Sequence, residues 1–340
     1  DHRDLHSFPT RRSSDLVSLI ASTIPAAAGS LKDLFGAASA NNQDYAVYSL
    51  DLELAGLRKT KGDIEAKVEL DRLQAQSSYI SALASYRRSV LNFYNEVIDA
   101  TFAVATAELD KEALSLSMQN ASVDRQSADT RFAGGLISEE VYKEIEIAYK
   151  TQANNNELAL WTLEDSKRIF LATTGMEWAP SLLPEAPDFK ASAGVEEWLA
   201  SDTSLQVAQV ANTIQGIKFA SVAANASAYD RRIQETESLK AKVSLANAES
   251  DSRRAFESGV NSLKNQQNLL QIRSAEYALK ESAYNDGLRQ YEKGIISQSD
   301  KNLRRIALIT AHKNLLTAKK NYLKSIGSYL SALGENPLEI

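Results

Sequence analysis

"RFAGGLIS" occupies Arg131–Ser138, and "QYEKGIIS" occupies Gln290–Ser297. The two octets align position by position. Phe132 meets Tyr291, Gly135 meets Gly294, and Leu136-Ile137-Ser138 meets Ile295-Ile296-Ser297. They stand 159 residues apart, and the same spacing carries Val97 to Phe256, Val104 to Leu263, Ala148 to Ala307 and Gly175 to Gly334. Nearer the start the spacing is 160: Val47 meets Val207, Leu54 meets Ile214, and Gly56-Leu57-Arg58 meets Gly216-Ile217-Lys218. A near-constant offset over most of the chain predicts a duplication. One copy spans residues 30–175 and the other 194–334, with a tail at 335–340. Residues 176–193 hold Pro180, Pro184 and Pro187, half of the six prolines. Proline has no amide hydrogen and clashes with a preceding helical turn, so this stretch reads as an extended linker.

Each octet interrupts a long proline-free run. Asp63–Phe132 contains no helix-breaking proline, and its apolar residues recur every seven at Leu83, Val90, Val97 and Val104. The second copy repeats the pattern at Phe256, Leu263, Leu270, Tyr277, Tyr284 and Tyr291, and the last run at Ile309, Leu316, Leu323 and Leu330. A spacing of seven places one apolar stripe along a helix and favours coiled-coil packing. Such a rod cannot bury its stripe on itself, so it must pack on others. The expected fold is all-α: two tandem copies of long antiparallel helical hairpins.

Within each octet the glycine suits the left-handed residue that ends a helix, and the serine suits the cap of the next. Asp300, three residues after Ser297, completes a capping-box spacing. Leu136-Ile137 and Ile295-Ile296 are then apolar residues at a hairpin tip. Two readings stand: they staple the turn shut, or they form an exposed contact for a partner. "YSLDLELA" (Tyr48–Ala55) alternates like a half-buried strand. Its counterpart Ala208–Gln215 does not, and both are read as helix.

Composition narrows the function. Only 14 glycines occur in 340 residues, cysteine is absent, and the net charge of −6 comes from 38 basic and 44 acidic residues interspersed along the chain. That balance argues against a nucleic-acid partner. The lack of cysteine excludes thiol catalysis, thiolate metal sites and disulfides. Residues 1–16 hold two of the three histidines, match nothing else in the chain and read as an artefactual leader; 17–29 form an N-terminal segment. No export signal is visible. His312, in "ITAHKNLL", is expected to be solvated. With no phosphate loop, serine elbow or paired histidines, no catalytic, cofactor or metal site is expected, and the chain is read as a non-enzyme.

At the level of ordered motifs the chain resembles the TolC-like outer-membrane efflux proteins. In that family two tandem copies each open on a phrase like "SLKDLFGAASANNQDY" (Ser30–Tyr45) or "GVEEWLASDTSL" (Gly194–Leu205). Each then carries a long helix, a tip of the octet type, a return helix and a closing Leu-x4-Gly, as at Leu171–Gly175 and Leu330–Gly334. The resemblance implies a homotrimeric helical channel in the cell envelope, at the outer membrane or in the periplasm. Exported small molecules or proteins would pass through it. The tips Gly135, Leu136, Ile137, Ser138, Gly294, Ile295, Ile296 and Ser297 would dock a periplasmic adaptor serving an inner-membrane pump. It also implies a lumen constriction at Asp300, which reads equally well as a plain helix cap. Family members insert two barrel strands per copy. Here "GLRKTKGDIEAKVEL" (Gly56–Leu70) and "GIKFASVAANASAYDRRI" (Gly216–Ile233) run straight on, with at most a short helical turn around Lys59–Gly62 and Asn225–Asp230. A reduced member with little or no barrel is expected. Two alternatives stay open: a non-conducting extracytoplasmic scaffold of the same descent, and an ordinary duct whose strands escape recognition.

Overall fold

A computed structural model describes residues 31–222 and 225–339. The leader 1–16 and the segment 17–29 lie outside the described residues. Among the described residues eight α-helices follow in order: α1 Leu31–Asn41, α2 Gln43–Glu65, α3 Glu69–Ala133, α4 Glu139–Thr174, α5 Val195–Ser201, α6 Thr203–Ala220, α7 Ala228–Glu292 and α8 Gln298–Leu333. No strand occurs among the described residues, and none of their helices is long and apolar enough to cross a membrane. Tyr48–Ala55 lies inside α2 and Ala208–Gln215 inside α6. The two longest helices, α3 and α7, each have 65 residues, and the two return helices, α4 and α8, each have 36. At 1.5 Å per residue the long rods extend about 98 Å.

The proline-free run Asp63–Phe132 is not helical throughout. The chain reverses at Ala66–Val68, and the segment Lys59–Gly62 is helical, within the last turns of α2. In the second copy Asp230 likewise belongs to α7. Two local features make the reversal. The Lys67 amide, one residue before the N-cap Val68, donates to the Asp71 carboxylate at 3.2 Å, which ties the incoming chain to the first turn of α3. Gly62 faces Ala75 so closely that a Cβ on Gly62 would stand 2.7 Å from the Ala75 methyl, so α2 folds back flat against α3. In the second copy Ser227 accepts from the Asp230 amide at 3.0 Å and starts α7.

The helices form a row rather than a bundle. In the half nearer the octets the order is α4, α3, α8, α7; in the other half it is α2, α3, α6, α7. The two outer rods of the row make no extended contact with each other. The central seam joins α3 to α8, and so one copy to the other. Tyr94 is fully buried there, donates its hydroxyl to the Leu323 carbonyl at 2.8 Å and stacks on Phe35 at 4.8 Å. Gly327 leaves the space that the Tyr94 ring fills, since a Cβ would come within 2.4 Å of it.

Polar pairs set the register of this seam. Glu112 holds Arg305 through two bonds of 2.6 and 3.0 Å. Asp110 pairs with Lys313, and Asp99 with Lys324 at 2.6 Å and Lys320 at 3.5 Å. The acids all stand on α3 and the bases all on α8. Each pair is a third to a half exposed, so each contributes about 0–1 kcal/mol. A shift by one turn would break them all together, which makes them determinants of alignment more than of stability. Nearer the octets, buried Asn302 donates to Asn120 at 2.9 Å and accepts from Gln298 at 3.0 Å.

One face of the row carries a second layer. The helix α1, the linker with its short 3-10 turn Pro180–Leu182, the helix α5 and the C-terminal turn Pro337–Glu339 pack there as a belt. Leu34, Phe35 and Leu182 join Val97, Phe170 and Leu323 in one core, while Trp198 joins Leu263, Tyr322 and Tyr329 in another.

Candidate functional site

The octets form the two hairpin tips. Gly135 and Gly294 both adopt φ +69°, the left-handed region that residues with a Cβ avoid. At the first tip the Leu136 amide donates to the Arg131 carbonyl at 2.8 Å and the Gly135 amide to Phe132 at 2.9 Å. At the second, Ile295 donates to Gln290 at 2.9 Å and Gly294 to Tyr291 at 2.8 Å. This paired closure satisfies the carbonyls that a helix end leaves over. Ser138 then accepts from Val141 at 3.3 Å, and Ser297 from Asp300 at 3.0 Å, to start α4 and α8.

The tip residues differ in exposure. Leu136 is 73% exposed and Ile295 is 67% exposed. Ile137 and Ile296, the next residues, are half-buried. Below them the copies differ. Phe132 stacks on Tyr142 at 4.7 Å, whereas at the matching positions Lys301 sits over the Tyr291 ring at 4.3 Å. One tip is thus closed by an aromatic pair and the other by a cation–π contact.

Asp300 is exposed and serves as a cap. Its carboxylate accepts from the Ser297 hydroxyl at 2.7 Å and the Ser297 amide at 3.2 Å. These bonds hold its pKa below the ordinary value of 3.8. Because the folded value is lowered, the cap's contribution is present above pH 3.8 and lost as pH falls through the folded value. The first tip has Val141 at the matching place and no such carboxylate. Amide exchange measured on acidification should therefore rise at the second tip before the first.

Gly135→Val and Gly294→Val should each cost about 1–2 kcal/mol by forcing a β-branched residue into the left-handed region. The expected result is a lower thermal midpoint with circular dichroism at low temperature unchanged, since the strain is confined to the turns.

His312 is half-buried against Tyr277, with ring centroids 5.0 Å apart, and is not solvated as expected. Burial lowers its pKa, and Lys319 and Arg305 add to the effect. No group of three or more His, Asp or Glu able to hold a metal ion occurs among the described residues.

The outer edges of the row are a feature that sequence reasoning missed. On α4, exposed Ile147, Leu158, Trp161 and Ile169 share one stripe facing away from α3. On α2, exposed Val47, Leu50, Leu54 and Leu57 do the same. On α7, exposed Val243, Ile272 and Leu279 face away from α8. Counting across the row through Tyr277–His312, Asp110–Lys313 and Asp129–Tyr142 brings Leu279 within about one turn of Trp161 in height, and Ile272 of Ile169. The sequence signal was there in the i, i+3, i+7 spacing of Val47, Leu50 and Leu54, but it is shared with residues that face inward.

No family model matches the chain, and no curated protein matches it. Solved structures do. A membrane protein from Pseudomonas aeruginosa superposes with a TM-score of 0.61 at 12% identity, over 91% of this chain and 91% of that one. The open state of the MtrE outer membrane channel of Neisseria gonorrhoeae gives 0.57 at 13% identity, over 92% and 90%. The CmeC outer membrane channel of Campylobacter jejuni gives 0.54 at 12%, over 89% and 85%. At this identity the likeness establishes the fold, which is the one that the motif resemblance implied.

Proposed function

We propose that this chain, which shares its fold with outer-membrane channels, is the subunit of an efflux duct of the cell envelope, a non-enzymatic TolC-like channel built by duplication. Three copies close edge to edge, with α2 and α4 of one against α7 of the next. The observation that carries this reading is the open row with an apolar stripe on each free edge at matching heights. Neither stripe has a partner among the described residues, and exposed stripes of this extent mark interfaces. The belt stands outside such a ring, because placed inside it would fill the passage. The face opposite the belt on α8 is polar, which suits a passage better than the solid packing of a scaffold. With α2 and α6 helical where strands were in question, the described residues contribute nothing to a barrel.

In this reading Leu136 and Ile295 are the parts of the tips that dock a periplasmic adaptor of an inner-membrane pump. Asp300 places one ionised carboxylate per chain near the inner end. Crosslinking from the tips to an adaptor should be lost in the double variant Gly135→Val/Gly294→Val, and unaltered crosslinking would remove the docking role. Asp300→Ala should lower cation preference in conductance recordings; an unchanged current would leave the residue a cap alone.

A further inference from the structure

We infer that α8 lines the passage above the tips with hydroxyl and amide groups, and that along this lining small hydrophilic solutes pass without regard to the sign of their charge; this rests on the duct reading above. Successive residues of a helix advance by about 100°. Thr310, Asn314, Thr317, Asn321 and Ser328 therefore form one stripe of α8, and all five are exposed. The stripe lies opposite Tyr322, Ile326 and Leu330, which are buried under the belt. Asn302, Ile309, Leu316 and Leu323 point to α3, so this stripe is the main free face that α8 has. The return helix of the other copy keeps this chemistry only in part: Thr151, Asn155 and Thr162 stand 159 residues before Thr310, Asn314 and Asn321, but Leu158 and Ile169 of the apolar edge stripe stand at the places of Thr317 and Ser328, so the continuous polar stripe belongs to α8.

The hydroxyls are already engaged as donors. Thr151 donates to Ile147 at 2.9 Å, Thr162 to Leu158 at 2.9 Å, Thr310 to Ile306 at 2.9 Å, Thr317 to Lys313 at 3.0 Å and Ser328 to Lys324 at 2.9 Å. What remains towards the passage is hydroxyl lone pairs, threonine methyls and a few amides. A lining of this kind hydrates readily and binds nothing firmly. Charges nearby are paired across the seam, Asp99 with Lys320 and Lys324 and Asp110 with Lys313, which leaves an excess of one positive charge per chain. Arg88 and Glu96, one of each sign, are exposed on α3. Discrimination by charge then falls to the inner end, where Asp300 and, on the first turns of α4, exposed Glu140 and Glu144 stand.

The absence of native cysteine makes a direct test clean. Thr317→Cys and Asn314→Cys are introduced one at a time. Each is reacted with methanethiosulfonates of similar size, one carrying a trimethylammonium and one a sulfonate. The expected ratio of the two rates is within about threefold of that for a small neutral thiol in solution, because an uncharged lining leaves the local potential near zero. As a control on sensitivity, Asn321→Asp added to Thr317→Cys should shift the ratio towards the cation. A wild-type lining that favours either sign by about tenfold or more overturns the inference, as does a Thr317→Cys thiol no more reactive than one at buried Leu323. Particle mass measured on the same samples reports separately on the ring. A ring with a skewed ratio refutes the lining alone, whereas single chains refute the duct reading and the inference with it.

Discussion

Tyr94→Ala is expected to destabilise the protein by about 3–5 kcal/mol, the range for removing a buried aromatic ring. Tyr94 is fully buried where three things meet: Phe35 of the belt, the Leu323 carbonyl of α8, and the gap above Gly327. Burial also pushes its phenol pKa up, so the hydroxyl stays protonated and keeps donating over the usable pH range. Gly327→Ala should be damaging for the reciprocal reason. Its new methyl would meet a ring that has nowhere to move. The two changes should not add. In the Tyr94→Ala background the Gly327→Ala methyl occupies vacated space, so its cost should fall by 1 kcal/mol or more, as coupled neighbours do. Denaturant unfolding of the four variants measures this. Additive costs would mean that the seam between the copies is not packed as described.

The second large effect concerns assembly. Trp161→Asp on α4, or Leu279→Asp on α7, should convert the particle to single chains without loss of helix. Both side chains are about two-thirds exposed within one chain, at 64% and 68%, so folding of that chain does not depend on them. In the ring each carboxylate would be buried against an apolar partner with nothing to pair with, which is costly. Sedimentation with circular dichroism on the same sample separates the two effects. A particle mass unaffected by either substitution would place the interface elsewhere.

Local chemistry made the tips legible in the sequence. A glycine followed three residues later by a serine specifies a left-handed end and a cap whatever surrounds it, and the structure has both twice. The heptads at Val90, Val97 and Val104 likewise found the core face of α3 because all three are buried. The reversal at Ala66–Val68 carries neither proline nor glycine. It depends on Gly62 meeting Ala75 and on Asp71 reaching back to Lys67, contacts between two helices that cannot be paired before the fold is known. The alternation in Tyr48–Ala55 misleads for a related reason: a helix at the edge of a row leaves Leu50 and Leu54 exposed, which blurs its period. Asp99, Asp110 and Glu112 look like ordinary surface charge until α8 is set beside them. His312 looks solvated until Tyr277, itself a heptad residue, is placed against it.

End-on electron micrographs of the intact particle test the central claim most directly. Three chains of four rods each should appear as a single ring of helices around an open centre, with the belt as a collar on the outside. A solid bundle, or isolated single chains at micromolar concentration, would contradict it.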